Sequence, residues 1–148
     1  MLTVRTILVP VDFTETSDRA LDYAVAMAAR FEASVVALHA YEIPVYGFPD
    51  GALVASGEVA TRISDAAQKA LDRLVEARQN KGVKLSALLR TGVAYDLANT
   101  VADEIDADLI VIGTHGRRGL ARALLGSVAE NVIRTAKRPV LVIHGPRD

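Results

Sequence analysis

Short apolar runs alternate with longer amphipathic stretches along this chain. Five runs rich in β-branched residues are typical of buried strands, and they span Thr6 to Val11, Ser34 to Tyr41, Val83 to Arg90, Leu109 to Ile112 and Pro139 to His144. Between these runs, apolar residues recur at helical spacing. The pattern predicts helices that begin after Thr14 or Thr16 and that run from Glu58 to about Asn80, Ala94 to Ile105 and Ser127 to Lys137.

The alternation of strand and helix predicts an α/β fold in a single domain of 148 residues. Parallel strands joined by helices need right-handed crossovers and helices on both faces of the sheet. We therefore expect a Rossmann-like sandwich, a five-stranded parallel sheet between four helices. The pattern leaves two strand orders open, 3-2-1-4-5 and 2-1-3-4-5. Ligands bind where the strand order reverses, so a glycine-rich loop after the fourth strand favours the first order.

One long segment, Glu42 to Ser56, shows neither periodicity. It contains prolines, glycines and several apolar or aromatic residues. This composition is too apolar for a solvated linker and predicts an irregular flap or interaction loop.

Composition and charge narrow the classes of function. Lys and Arg number 17 against 18 Asp and Glu, a net charge of −1, so no global field favours nucleic acid. The absence of cysteine excludes disulfides, thiolate metal sites and cysteine nucleophiles. The start of the chain lacks the features of a signal peptide, and no apolar run approaches the ~18 residues of a membrane span. We expect a cytoplasmic protein with neither a nucleic-acid nor a membrane partner.

The candidate chemistry follows the fourth strand, where Gly113 and Gly116 precede Gly126 and Ser127. Glycines allow backbone N–H groups to approach an anion, and the first N–H groups of a helix attract phosphate. We predict that Ser127 is the N-cap of the last helix and that Glu130 completes a capping box. The spacing fits neither a Walker A motif nor a dinucleotide fingerprint. The residues alone leave two alternatives, a phosphate cradle and an empty loop beside a self-capped helix.

The chain resembles the universal stress protein family over its whole length. The resemblance rests on VPVDFT at residues 9–14, LHA at residues 38–40 and the span from Ala107 to Val142. The Gly-x2-Gly-x9-Gly-Ser spacing resembles the motif of the ATP-binding branch of that family. The resemblance implies an adenine nucleotide alpha hydrolase-like fold with strand order 3-2-1-4-5, a nucleotide between the first and fourth strands, and dimers formed through the last strand.

The same resemblance implies a set of nucleotide-binding residues. Asp12 is expected near the ribose or the adenine, and Gly126, Ser127 and the Val128 N–H at the phosphates. Two positions depart from the family pattern: Ala94 replaces a frequent proline, which should affect only the turn, and Ala129 supplies no hydroxyl. The full set is Pro10, Val11, Asp12, Ala40, Ile112, Gly113, His115, Gly116, Arg117, Gly126, Ser127 and Val128.

Several polar residues in these motifs also have structural interpretations. Asp12 would serve equally as a cap near Thr14, and His39 within an apolar strand is typical of a core histidine. His115 lies in the loop itself and is able to donate to a phosphate. A solvated surface is the usual explanation for a cluster of cations, but one of them is suited to clamp a polyphosphate; the cluster comprises Arg117, Arg118 and Arg122.

The last strand, Val140 to Ile143, is apolar on both faces and ends the sheet. An uncovered edge of this kind favours pairing with a second copy about a two-fold axis. The alternative is that residues 145–148 protect the edge.

Three functional hypotheses follow. The first is an ATP-binding regulatory dimer, in which nucleotide orders the segments 42–56 and 113–126 and so changes contact with an unidentified protein partner. The second is a slow ATPase or phosphotransferase, which should be weak because the loop lacks a lysine and Asp12 is the one obvious metal-binding candidate. The third is a nucleotide-free, chaperone-like dimer. The choice among ATP, ADP and AMP, and the presence of Mg²⁺, stay open.

Overall fold

The predicted alternation of strands and helices is present in the computed structural model, which describes residues 2–50, 53–54, 57–79, 82–114 and 125–146. The α2 helix ends at Glu76, about one turn before the predicted end. In chain order the elements are β1 (Thr6–Pro10), α1 (Glu15–Phe31), β2 (Ser34–Tyr41), β3 (Tyr46–Gly47), β4 (Leu53–Val54), α2 (Gly57–Glu76), β5 (Leu85–Thr91), α3 (Ala94–Glu104), β6 (Leu109–Gly113), α4 (Ser127–Thr135) and β7 (Val140–Ile143).

The long strands form one sheet in the order β5-β2-β1-β6-β7, and each neighbouring pair is parallel. Numbered without the short strands β3 and β4, this is the predicted order 3-2-1-4-5, and the alternative 2-1-3-4-5 is wrong. From β1 the chain first builds β2 and β5 on one side, and then returns to build β6 and β7 on the other. The strand order therefore reverses between β1 and β6, which is where an open α/β sheet forms a crevice.

Each face of the sheet buries its own apolar core, because successive side chains of a strand point to opposite faces. Val9 and Val111 belong to the core beneath α1 and α2. Leu8 and Ile110, each adjacent in sequence to one of these, belong to the core beneath α3 and α4. The helical spacing of apolar residues after Thr14 corresponds to a buried face of α1, formed by Ala20, Leu21, Ala24, Val25 and Ala28.

The start of α1 resolves the choice between two predicted capping residues. Thr14 has extended backbone angles, and its side-chain oxygen accepts a hydrogen bond from the Ser17 N–H at 3.3 Å. Thr14 is therefore the N-cap, and Thr16 lies inside the helix.

The segment from Glu42 to Ser56 is not wholly irregular, contrary to prediction. Within it, β3 and β4 pair antiparallel, with Tyr46 opposite Val54 and Gly47 opposite Leu53. Strands of two residues are too short to show the alternation of apolar and polar positions from which strands are predicted. Val45 and Phe48, beside the pair, are more than half exposed.

The helices in the described part of the chain are all too short or too polar to cross a membrane.

Asp108 fastens the beginnings of the two central strands together. Its Oδ2 accepts hydrogen bonds from the backbone N–H groups of Arg5 at 2.7 Å and Thr6 at 3.0 Å, and its own N–H donates to the Thr6 carbonyl at 2.9 Å. The hydrogen bond from Arg5, followed by that from Thr6, lowers the pKa of the Asp108 carboxyl below its ordinary value. The ionised side chain therefore stabilises the junction of β1 and β6.

This contact makes a prediction about pH. Near neutral pH, Asp108→Asn should lower the free energy of unfolding by about 1 kcal/mol, because it removes the charge that accepts both hydrogen bonds. A lowered folded-state pKa gives stability that is present above the unfolded-state pKa of about 3.9 and is lost as pH falls through the folded-state value. The difference between variant and wild type should therefore shrink below about pH 4.

Urea unfolding of both proteins across this pH range measures the effect. Asp65→Asn, a change at an exposed position of α2, is the matched control. A difference for Asp108→Asn that stays constant down to acid pH would contradict the ionic contribution.

Candidate functional site

A cleft lies at the carboxyl ends of β1 and β6, where the strand order reverses. Its empty volume, which includes space open to solvent, is about 620 Å³. Residues from widely separated parts of the chain form it, as the topology requires. Of the predicted set, those that line the cleft are Pro10, Val11, Asp12, Ala40, Ile112, Gly113, Gly126, Ser127 and Val128.

Three members of the predicted set, His115, Gly116 and Arg117, lie outside the described residues. The same holds for Arg118 and Arg122. Their suggested contacts with phosphate remain predictions from the sequence.

The cleft also contains residues that were not predicted. Leu38 lies two residues before the predicted Ala40 on β2, and Thr114 lies two residues after the predicted Ile112, just beyond β6. Because alternate residues of a strand share a face, this spacing was the signal that would have found them. The expectation that Ala94 affects only the turn is wrong, because Ala94, the first residue of α3, lines the cleft. The lining residues outside the predicted set are Ser17, Leu38, Ala94, Thr114 and Ala129.

One wall of the cleft is apolar. Pro10 ends β1 and Val11 follows it, and Leu38 and Ala40 come from β2 beside it. The β1 chain is fixed to β2 by the hydrogen bond from the Val11 N–H to the Leu38 carbonyl at 2.8 Å. This wall offers an apolar surface to a ligand.

The opposite end of the cleft is the N-terminus of α4. Gly126 is its N-cap, with φ −62° and ψ 151°, and no side chain caps the helix. The N–H of Gly126 donates to the Thr114 carbonyl, which holds this end of the helix beside the end of β6. The N–H groups of the first helical turn, at Ser127, Val128 and Ala129, have no acceptor within the helix. They favour negative charge in the cleft.

The prediction that Ser127 caps α4 is therefore wrong, and so is the predicted capping box. Since Gly126 is tied to Thr114 in an extended conformation and is itself the N-cap, the helix begins one residue earlier than a Ser127 cap would give, and Ser127 is its first residue. Glu130 does not reach back to the helix start; its carboxylate pairs instead with Arg134, one turn later, at 2.6 Å.

Asp12 follows β1 and has both a structural contact and a place in the cleft. Its Oδ1 accepts hydrogen bonds from the Thr14 N–H at 3.1 Å and the Thr14 hydroxyl at 2.5 Å. Ser17 Oγ accepts from the Asp12 N–H at 3.2 Å and donates to the Thr14 carbonyl at 3.1 Å. The suggested capping role near Thr14 is thus present. Asp12 is also the one charged residue among the described residues that line the cleft.

His39 lies in the core, as its apolar strand suggests, and does not line the cleft. The side chain is 7% exposed, and its Nδ1 lies 2.7 Å from the Val11 carbonyl oxygen. The centroid of its ring lies 4.4 Å from the ring centroid of Phe13, a residue with a φ of 64°. His39 thus supports the turn after β1 from behind the cleft wall.

Gly113 has a packing role that sequence reasoning missed. A Cβ at this position would lie 2.8 Å from Thr16 Cγ2 and 3.0 Å from the Thr16 carbonyl carbon and oxygen. These atoms belong to the first turns of α1, which cover the face of the sheet opposite α4. The absence of a side chain at Gly113 therefore lets α1 approach β6 closely. This packing role is independent of any contact that the Gly113 backbone makes with a ligand in the cleft.

Within the described residues, no group of three or more His, Asp or Glu side chains is placed to hold a metal ion.

Comparisons with known proteins agree on one family. The sequence model of the universal stress protein family matches residues 3–144. Universal stress protein MJ0531 of Methanocaldococcus jannaschii is 36% identical over 143 residues, which are 95% of this chain and 82% of that protein.

Solved structures share the fold. The structure of protein MJ0577 of Methanocaldococcus jannaschii matches with a TM-score of 0.82 and 24% identity over 99% of both chains, a likeness of fold alone. A universal stress protein solved in complex with cAMP is 29% identical, with a TM-score of 0.71, over 96% of this chain and 98% of that chain.

The contact between Gly113 and Thr16 makes a prediction about stability. Gly113→Ala should destabilise the protein by about 1–3 kcal/mol, because the added methyl group overpacks against helix backbone that cannot move independently. Gly57→Ala is the matched control: a Cβ there meets no atom within 4 Å, so its effect should stay within about 0.5 kcal/mol. Urea unfolding of the two variants compares them directly. Equal stability of the two variants would show that α1 does not pack this closely on β6.

Proposed function

The chain belongs to the universal stress protein family, as the sequence resemblance predicted, and we propose that it is a regulatory protein that binds an adenine nucleotide in the cleft between β1 and β6. The observation that carries the proposal is the division of this cleft. An apolar wall lies on one side, and the N-terminus of α4, without a side-chain cap, lies on the other. A nucleotide has the same division, with an apolar ring system at one end and anionic phosphate at the other.

The apolar wall is proposed to hold the base. An aliphatic surface for a planar ring is offered by Val11, Leu38 and Ala40. Asp12 follows Val11, just beyond the end of β1. A carboxylate is an acceptor with several lone pairs, so Asp12 is suited to accept hydrogen bonds from ribose hydroxyls while also accepting those from Thr14.

The α4 end is proposed to hold the phosphates. Backbone N–H groups at a helix N-terminus bind phosphate without a basic side chain, and the absence of a Cβ at Gly126 keeps the approach open. Two further points support an adenine nucleotide: the complete Gly-x2-Gly-x9-Gly-Ser spacing, and the relative whose structure contains cAMP. We place the chain in the ATP-binding branch and propose ATP as the ligand, with ADP, AMP and bound Mg²⁺ as alternatives that titration separates.

Binding of nucleotide is proposed to act as a signal. The N-terminus of α4 and the end of β6 are joined through the hydrogen bond between Gly126 and Thr114, so phosphate held there would act on the junction between this helix and this strand. A change at that junction would alter contact with a protein partner. We expect this interaction to take place in the cytoplasm.

A calorimetric titration tests the binding proposal. Wild-type protein, stripped of bound molecules, should bind ATP, ADP or AMP. Gly126→Val should weaken this binding at least about tenfold, or about 1.4 kcal/mol, by filling the approach to the α4 N–H groups. The extended backbone at Gly126 is one that valine also adopts, so the ligand-free unfolding midpoint should barely change.

Gly57→Val, at the open start of α2, serves as the control and should bind as the wild type does. Absence of binding by the stripped wild type to all three nucleotides would favour the nucleotide-free alternative and overturn the proposal.

We further propose a homodimer formed through β7. This strand lies at one edge of the sheet and pairs along its length only with β6 among the described strands. The Ile110 N–H donates to the Pro139 carbonyl and the Thr114 N–H to the Ile143 carbonyl. Because the backbone groups of alternate residues point to opposite sides of a strand, those of Val140 and Val142 face the open edge. A second β7 would satisfy them about a two-fold axis.

The edge orientation yields a test by substitution. Val142→Pro removes one outward N–H and keeps the hydrogen bonds to β6, so the folded variant should elute as a monomer. Val142→Ala keeps the N–H and should elute as a dimer. Light scattering coupled to gel filtration gives the masses, and circular dichroism checks folding. A monomeric wild type, or a folded Val142→Pro dimer, would contradict pairing through β7.

A further inference from the structure

Thr114 is a buried residue of the cleft wall that was not among the predicted site residues. It follows β6 directly, is 2% exposed and lines the cleft. Within the part of the chain that the structure describes, its Oγ1 is a buried side-chain oxygen without a hydrogen-bond partner. Buried hydroxyls are nearly always paired, so this one requires an explanation.

The backbone of Thr114 is engaged on both sides and fixes where the side chain projects. Its N–H donates to the Ile143 carbonyl at 2.9 Å, and its carbonyl accepts from the Gly126 N–H. The position of a Cβ at Gly113 faces Thr16 of α1. Since neighbouring residues of an extended chain alternate between faces, Thr114 projects to the other face, which is the face of Ile112 and α4.

The surroundings of the hydroxyl identify the group that would pair with it. Thr114 is bonded through its carbonyl to the N-cap of α4, and the nearby N–H groups of the first α4 turn are donors. A phosphate at the N-terminus of α4 would bring acceptor oxygens to a place where the neighbouring backbone offers N–H donors. The hydroxyl hydrogen can then be donated to the same phosphate that the α4 backbone holds.

We propose that Thr114 is a phosphate-binding residue of the cleft, whose hydroxyl donates a hydrogen bond to the nucleotide phosphate at the N-terminus of α4. This inference rests on the proposed nucleotide binding. It also implies that the unliganded protein carries an unsatisfied hydroxyl, which ligand binding satisfies. Valine has nearly the same shape as threonine but no hydroxyl. A valine at this position therefore loses a hydrogen bond in the nucleotide complex and loses none in the unliganded protein.

The experiment compares wild type, Thr114→Val and Thr114→Ser by calorimetric titration with AMP and with adenosine, and by urea unfolding without ligand. Thr114→Val should bind AMP about tenfold more weakly than wild type, a common effect of losing one hydrogen bond to a charged group. Thr114→Ser keeps the hydroxyl and should bind AMP within about threefold of wild type. All three should bind adenosine alike, because it lacks the phosphate. The ligand-free midpoint of Thr114→Val should equal or exceed that of wild type.

Each contrary result has a definite meaning. Unchanged AMP binding by Thr114→Val, or equal weakening for AMP and adenosine, overturns the phosphate contact alone. A lower ligand-free midpoint for Thr114→Val overturns it too, because it reveals a structural partner of the hydroxyl. If wild type does not bind AMP, the same comparison is made with ATP; a wild type that binds none of ATP, ADP and AMP overturns the proposed function together with this inference.

Discussion

The pairing of β1 with β6 is the interaction on which the architecture of the cleft depends. These strands are neighbours at two registered positions, Ile7 with Leu109 and Leu8 with Ile110, both near their amino ends. Beside them, β1 stays paired with β2 up to Pro10, and β6 stays paired with β7 up to Gly113. The sheet therefore separates toward the carboxyl ends of its two central strands. Asp108 holds the opposite, closed end through the N–H groups of Arg5 and Thr6.

The two faces of the sheet perform different tasks at this opening. On one face, α1 packs so closely on β6 that a side chain at Gly113 would collide with Thr16. The next residue, Thr114, lies on the other face, where the cleft is found. Two adjacent residues thus serve a packing contact and a cleft wall, because an extended chain alternates between faces. A glycine in such a motif need not mark a ligand contact, and the residue beside it can be the polar group that faces the cleft.

The fold was largely predictable from the sequence, since long periodic segments indicate their element type wherever tertiary contacts agree with them. The apolar face of α1 and the strand Ser34–Tyr41 are examples. The strand order was not determined by periodicity; the glycine loop favoured it and the family resemblance implied it. The pair of β3 and β4 was missed because each strand has two residues. The N-cap of α4 was assigned one residue too late because a long-range hydrogen bond, from Gly126 to Thr114, fixes it. Leu38 and Thr114 lie within the quoted motifs but were not assigned to the cleft, because a wall is made by whatever side chains share a face.

The division of the cleft also explains why much of its chemistry is hard to see in side chains. At the α4 end, the groups suited to an anion are backbone N–H groups, which any residue other than proline supplies. The sequence constrains them only indirectly, by requiring a helix that begins immediately after Gly126. At the β1 end, the wall is aliphatic, and its residues also belong to the sheet or follow it directly. The turn behind it is supported by His39 through the Val11 carbonyl. A cleft of this kind arises when the elements meet at the right point, so it depends on the topology of the sheet more than on the identity of any one side chain.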